Sequence, residues 1–192
     1  MDIEGKGIDL MHRRRLALMT AAVSLIVFAA PVPAQEVDDF ADDVLTTHNA
    51  ERAELGVPDL VWSDALARDA AAWAQTLKGG GALRHSGISG QGENLWMGTR
   101  GAYDTLEMVD SWLEERGMFK RGRFPNVSST GRWPDVGHYT QMIWANTRVI
   151  GCAVSSDVDF DYLVCRYFPA GNWMGEDPLD GREPHLAGRK AP

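Results

Sequence analysis

Cysteine is scarce in this chain: Cys152 and Cys165 are the only two among 192 residues. That is too few for a disulfide scaffold, and two lone cysteines so far apart make a poor metal site. An excess of positive charge is missing too. The formal net charge is −8, which argues against a nucleic-acid-binding surface. The uncharged run Leu16 to Ala30 has 15 residues, short of the ~20 that a membrane span needs. No internal repeat is visible. Neither H-E-x-x-H nor G-x-S-x-G occurs, since Gly87-Ile88-Ser89-Gly90-Gln91 misses the second pattern at its last glycine. Apolar residues are not short, at 44%. A chain of this size and composition builds one sizeable domain.

The N-terminus reads as an export signal. His12-Arg13-Arg14-Arg15 precedes the uncharged run, and Pro31-Val32-Pro33-Ala34 supplies small residues for cleavage after Ala34. The acidic decapeptide before Met11 fits a signal poorly, so Met11 is an alternative start. Residues 1–34 hold four Lys/Arg and three Asp/Glu. Of the 19 basic and 27 acidic residues overall, 15 and 24 remain after cleavage, a net of −9. The expected product is secreted, periplasmic or extracellular, with no transmembrane segment in the mature chain. In that oxidising setting one disulfide, Cys152 to Cys165, is expected.

The residues after the signal favour helices first and strands later. Phe40, Val44, Leu45 and His48 recur at helical spacing and Gly56 stops the run. Ser63 is a plausible N-cap for an alanine-rich helix to about Leu77, with Leu66, Ala70, Trp73 and Leu77 as its apolar stripe. Residues 79–102 read as glycine-rich and irregular. A third helix is expected from Tyr103 to about Arg116, with Leu106, Val109, Trp112 and Leu113 on one face, followed by a surface loop to Val136. His138–Trp144, Val149–Ser155 and Asp161–Phe168 read as strands, the last two as a hairpin on which the cysteines face each other. From Met174 the chain is polar. This order suggests an α+β domain with helices packed on a small antiparallel sheet. The expected divisions are a signal peptide at 1–34, a domain at 35–175 and a flexible tail at 176–192.

Of the five histidines, His12 falls in the signal and His185 in the tail. His48 sits within the first helix as a surface or packing residue, whereas His85 and His138 stand beside Gly or Ser where regular structure begins or breaks. GHYTQMIWANT, residues 137–147, closely resembles the first signature of the CAP superfamily, which comprises cysteine-rich secretory proteins, antigen 5 and pathogenesis-related protein 1 (SCP domains). YLVCRYFPAGNW, residues 162–173, is similar to its second. His85-Ser86 with Glu93-Asn94 downstream, and His48, Asn49 and Arg52 in an HNxxR pattern, match further landmarks in order. The resemblance spans about residues 40 to 175.

The resemblance implies a three-layer α-β-α sandwich whose central cleft holds two histidines and two acids. Matched residue by residue, these are His85, Glu93, an acid on the third helix, and His138. The family spacing from Trp112 selects Glu115. Glu114 is the adjacent competitor, turned ~100° away on a helix. Two neutral imidazoles, His85 and His138, suit a divalent ion such as Zn2+, with carboxylates to ligate it or orient water. The same four side chains also serve as a polar network without metal. With one cysteine pair and no extra module, the chain resembles a minimal, bacterial-type member. The implied function is a secreted module binding a sterol, lipid or an envelope or host component, rather than an enzyme. The alternatives are a metal-assisted, protease-like hydrolase in the same cleft and an envelope structural protein.

Overall fold

Phe160–Phe168 is apolar at nearly every position, and such a run belongs where both faces of a sheet are covered. It is strand β4 of the computed structural model, which describes residues 34–181. The expected signal segment up to Pro33, and residues 182–192 with His185, lie outside the described residues. The chain order is α1 (Ala34–Leu55), β1 (Val61–Trp62), α2 (Asp64–Leu77), β2 (Gly92–Thr99), α3 (Thr105–Leu113), α4 (Gly137–Met142), β3 (Val149–Ser156) and β4. Two 3-10 turns, Glu114–Met118 and Trp133–Val136, flank the long connection between α3 and α4.

The sheet runs β1-β3-β4-β2. β4 pairs antiparallel with both β3 and β2, while the two-residue β1 joins β3 in parallel. The sheet is therefore mixed rather than purely antiparallel. Leu163, Cys165 and Tyr167 point to one face and pack with Val44, Val109, Trp112, Tyr139 and Met142. Tyr162 and Val164, on the alternate positions, pack with Ala70, Ala74 and Leu77 of α2. With α2 on one side and α1, α3 and α4 on the other, the domain is an α-β-α sandwich of the α+β class.

Local signals explain several boundaries. Gly56 adopts φ +69°, and the bonds Val57 N to Arg52 O and Gly56 N to Ala53 O close α1 in a Schellman pattern. The Ser63 hydroxyl accepts from Leu66 N to cap α2. Asp104 and Glu107 form a capping box on α3. Cys152 and Cys165 are cross-strand partners in the β3–β4 register and are joined in a disulfide.

Several expectations are corrected. His138–Trp144 is a short helix and its exit, not a strand. Tyr139 through Trp144 are all buried, so exposure gives the run no period to read. Its polar members are paired: Thr140 donates to Asn172 Oδ1 at 2.7 Å and Gln141 to Thr147 Oγ1 at 3.2 Å. Gly92–Thr99, read as irregular, is a sheet strand that backbone pairing with β4 imposes on a β-poor sequence. The third helix ends at Leu113, and the chain tightens into a 3-10 turn that carries Glu114 and Glu115. The loop to Val136 is not confined to the surface, because Phe124, Val127 and Val136 form a small core with Trp144. Trp73 is only half-buried, and Ala74 takes its place in the α2 stripe. Residues 176–181, assigned by sequence to the tail, lie against this lobe: Pro178 is buried and its carbonyl accepts from Ala145 N at 2.7 Å.

Candidate functional site

His85, Glu93 and His138 line one cavity of about 360 Å3, together with Asn94, Phe124, Trp133, Pro134, Gly137, Asn172 and Met174. His85 arrives from the loop after α2, Glu93 from the edge strand β2, and His138 from the first turn of α4. Glu115 stands behind His138, in the 3-10 turn. Part of the cavity lining is apolar, and in it Phe124 and Trp133 meet with ring centroids 5.2 Å apart.

Each histidine is paired with one acid. His85 Nδ1 lies 2.6 Å from Glu93 Oε1, and His138 Nδ1 lies 2.6 Å from Glu115 Oε1. A carboxylate can only accept, so each Nδ1 carries the proton in the neutral ring and donates it. That leaves Nε2 as the lone-pair nitrogen on both rings, and neither has a protein hydrogen-bond partner among the described residues.

The two pairs differ in their supports. Glu93 is nearly buried. Its Oε1 also accepts from Ser86 N at 3.0 Å, and Arg166 Nη1 lies 2.9 Å from its Oε2. Burial pushes the Glu93 carboxyl up, but the bonds from His85 and Ser86 and the Arg166 charge outweigh it and hold Glu93 below its usual value. The bond to Glu93 in turn raises His85 above its ordinary value, against burial and the Arg166 charge. Glu115 instead spans the start of α4: its Oε2 accepts from His138 N and Tyr139 N, both at 3.0 Å. No side chain caps α4 at Val136, so Glu115 takes up those free amides from another segment. Trp112 stacks on the His138 ring at 5.8 Å and 19°.

Glu114 lies elsewhere, in a separate groove with Trp96, Tyr103, Glu107 and Asp110. The sequence reading missed Arg166, Asn172 and Phe124, whereas Trp133 was among the tryptophans it offered as groove lining. Arg166 had a visible signal, a cation inside a run that is otherwise apolar from Tyr162 to Phe168. Phe124 had none, because it comes from a connection read as surface loop.

Two imidazoles are too few for a closed ion site, and any ion held here would keep open positions. Two imidazole nitrogens face the cavity with their acids used to orient them, and no group of three or more His, Cys, Asp or Glu capable of holding an ion occurs among the described residues. No helix among these residues is long and apolar enough to cross a membrane.

A sequence profile of the cysteine-rich secretory protein family (CAP) matches residues 45–167. The chain is 31% identical over 168 residues to the pathogenesis-related protein PR-1 type of Sambucus nigra, covering 87% of this chain and 98% of that protein. It is 33% identical over 157 residues to pathogenesis-related protein 1A of Nicotiana tabacum, with 81% of this chain and 90% of the relative covered. Among solved structures, NaASP2 with Zn2+ superposes with a TM-score of 0.63 at 25% identity, over 76% of this chain and 88% of that one.

Proposed function

Because the chain belongs to the cysteine-rich secretory protein (CAP) family, we propose that it is a secreted recognition module whose His85–His138 cleft takes a divalent ion such as zinc reversibly. The observation that carries this reading is the paired orientation of the two rings. Each Nδ1 is committed to its own carboxylate, and each Nε2 is left unpartnered in a shared cavity. A carboxylate behind a histidine fixes the tautomer and raises the basicity of the other nitrogen, the arrangement seen around bound zinc. The likeness to NaASP2, solved with Zn2+, supports the same ion.

His85 Nε2 and His138 Nε2 would hold the ion, and Glu93 and Glu115 would orient the rings. Once bound, the ion supplies positive charge for an anionic or polar group of a ligand. Phe124, Trp133, Pro134 and Met174 offer an apolar surface beside it. That combination suits an amphiphilic partner, a lipid or sterol with a polar head, or an exposed segment of an envelope or host component. Secretion follows from the export signal expected at residues 1–34. A hydrolase in the same cleft is less well supported. Ser86 Oγ accepts from Arg166 Nη1 at 2.7 Å and from Ile88 N at 3.3 Å, and its remaining contact is with Glu93, a carboxylate already engaged by His85 and Arg166.

Calorimetric zinc titration of the mature protein tests the proposal at about pH 7.5 and pH 5, with a His85→Ala/His138→Ala variant beside it. Binding at pH 7.5 that weakens at pH 5 and vanishes in the variant is expected, because protons compete for both ligands. Equal binding by variant and wild type would place the ion elsewhere and end the reading.

A further inference from the structure

We infer that Glu51 is a positioning residue for the His138–Glu115 half of the cleft, a role that rests on the cleft reading above. Glu115 and His138 sit on two of the shortest elements in the fold, a five-residue 3-10 turn and a six-residue helix. Neither length is stable alone, since isolated helices need ~12–15 residues and 3-10 runs are weaker still. The register between them must be imposed from outside.

Glu51 is placed to impose it. The residue after Glu115 is Arg116, and the residue after His138 is Tyr139. Both reach the same carboxylate: Arg116 Nη1 binds Glu51 Oε2 at 2.8 Å, and the Tyr139 hydroxyl donates to Glu51 Oε1 at 2.6 Å. Each oxygen serves one segment. Glu115 Oε2 closes the ring by accepting from His138 N and Tyr139 N. The platform is α1, a 22-residue helix, and Arg116 Nη2 is tied to it a second time by Glu54 at 2.9 Å.

The energetics favour direction over stability as the purpose. Glu51 is buried, and an apolar side chain there would avoid the cost of desolvating a carboxylate. What the carboxylate supplies instead is two directed, charge-assisted bonds to two different segments. Tyr139 is held as a neutral donor, because burial first and then the bond to Glu51 push its phenol well above the ordinary value. The His85–Glu93 pair is supported separately, by Arg166 and Ser86. The cleft therefore contains its own control.

Imidazole tautomers read by nitrogen NMR at a fixed pH of about 8 on the mature protein, with zinc affinity and thermal midpoint measured alongside, test the role. In Glu51→Ala we expect His138 to lose its predominant Nδ1-protonated form while His85 keeps it, and zinc affinity to fall about ten-fold. Glu51→Gln, which keeps an acceptor for Tyr139, should recover most of both. If Glu51→Ala does not fold, Tyr139→Phe removes one arm of the clamp and should shift His138 in the same sense. An unchanged His138 tautomer in a folded variant would overturn the inference, as would equal changes at both histidines, which would mark general loosening. Absence of zinc binding by the wild type would defeat the functional reading alone, since the tautomer measurement decides the positioning role without metal.

Discussion

The Tyr167 hydroxyl donates to His48 Nε2 at 2.9 Å, joining α1 to β4 across 119 residues of sequence. His48 Nδ1 donates to Val44 O at 2.7 Å, so the neutral ring has both nitrogens engaged. Asn94 extends the chain of bonds, donating to the Tyr167 oxygen at 3.2 Å and to the His138 carbonyl at 3.1 Å. The helix histidine is thus a buried packing residue at the back of the cleft.

Burial lowers the His48 pKa to about 4. The unfolded chain binds this proton near pH ~6.5, so between those values the unfolded state holds more protons than the folded one. The associated stability is present above about pH 6.5 and is lost as pH falls toward 4, on the order of 3 kcal/mol in total. Urea unfolding of wild type and His48→Gln at pH 7 and pH 4.5 checks this. The variant should show the smaller pH dependence, and identical slopes would assign the acid sensitivity to other groups.

Arg52 is fully buried, with four carbonyl acceptors: Pro58, Met142, Trp144 and Thr147, at 2.7 to 3.1 Å. Burial lowers its pKa to about 10, which leaves it cationic at neutral pH. Arg52→Met keeps most of the volume but strips these carbonyls of their donor, and should cost on the order of 3 kcal/mol. Denaturant midpoints at pH 7 measure it; a loss below about 0.5 kcal/mol, the ordinary scatter of surface changes, would show that solvent replaces the guanidinium.

The disulfide closes a loop with a sequence separation of 13. Replacing both cysteines by alanine should lower stability by about 3 kcal/mol on the loop-entropy account, with zinc binding retained. Thiol titration of the unfolded, unreduced wild type should find no free cysteine.

Gly151 lies where β3 passes under the start of α2. A Cβ there would collide with backbone atoms Ala67 N and Ser63 O, which cannot rotate away. Gly151→Ala should therefore destabilise by about 1–3 kcal/mol through displacement of α2. A thermal midpoint equal to that of wild type would show that the helix shifts without cost.

The helices α1 and α2 and the β3–β4 hairpin are legible in the chain because their signals are local. Gly56 and Ser63 mark helix ends, apolar residues recur at helical spacing, and the hairpin strands are continuous runs. The signature segments likewise single out His85, Glu93, Glu115 and His138 as candidates from sequence alone. Tertiary structure decides the rest. Tyr139 to Met142 of α4 are buried in succession, so its sequence carries no period, and β2 is a strand because β4 pairs with it. The same holds for the cleft. Glu93 meets His85 eight residues away, Glu115 meets His138 across 23, and Glu51 meets Arg116 and Tyr139 across 65 and 88. Periodicity and propensity act within a few residues of chain, whereas these directed bonds exist only once packing has brought distant segments within about 3 Å of one another.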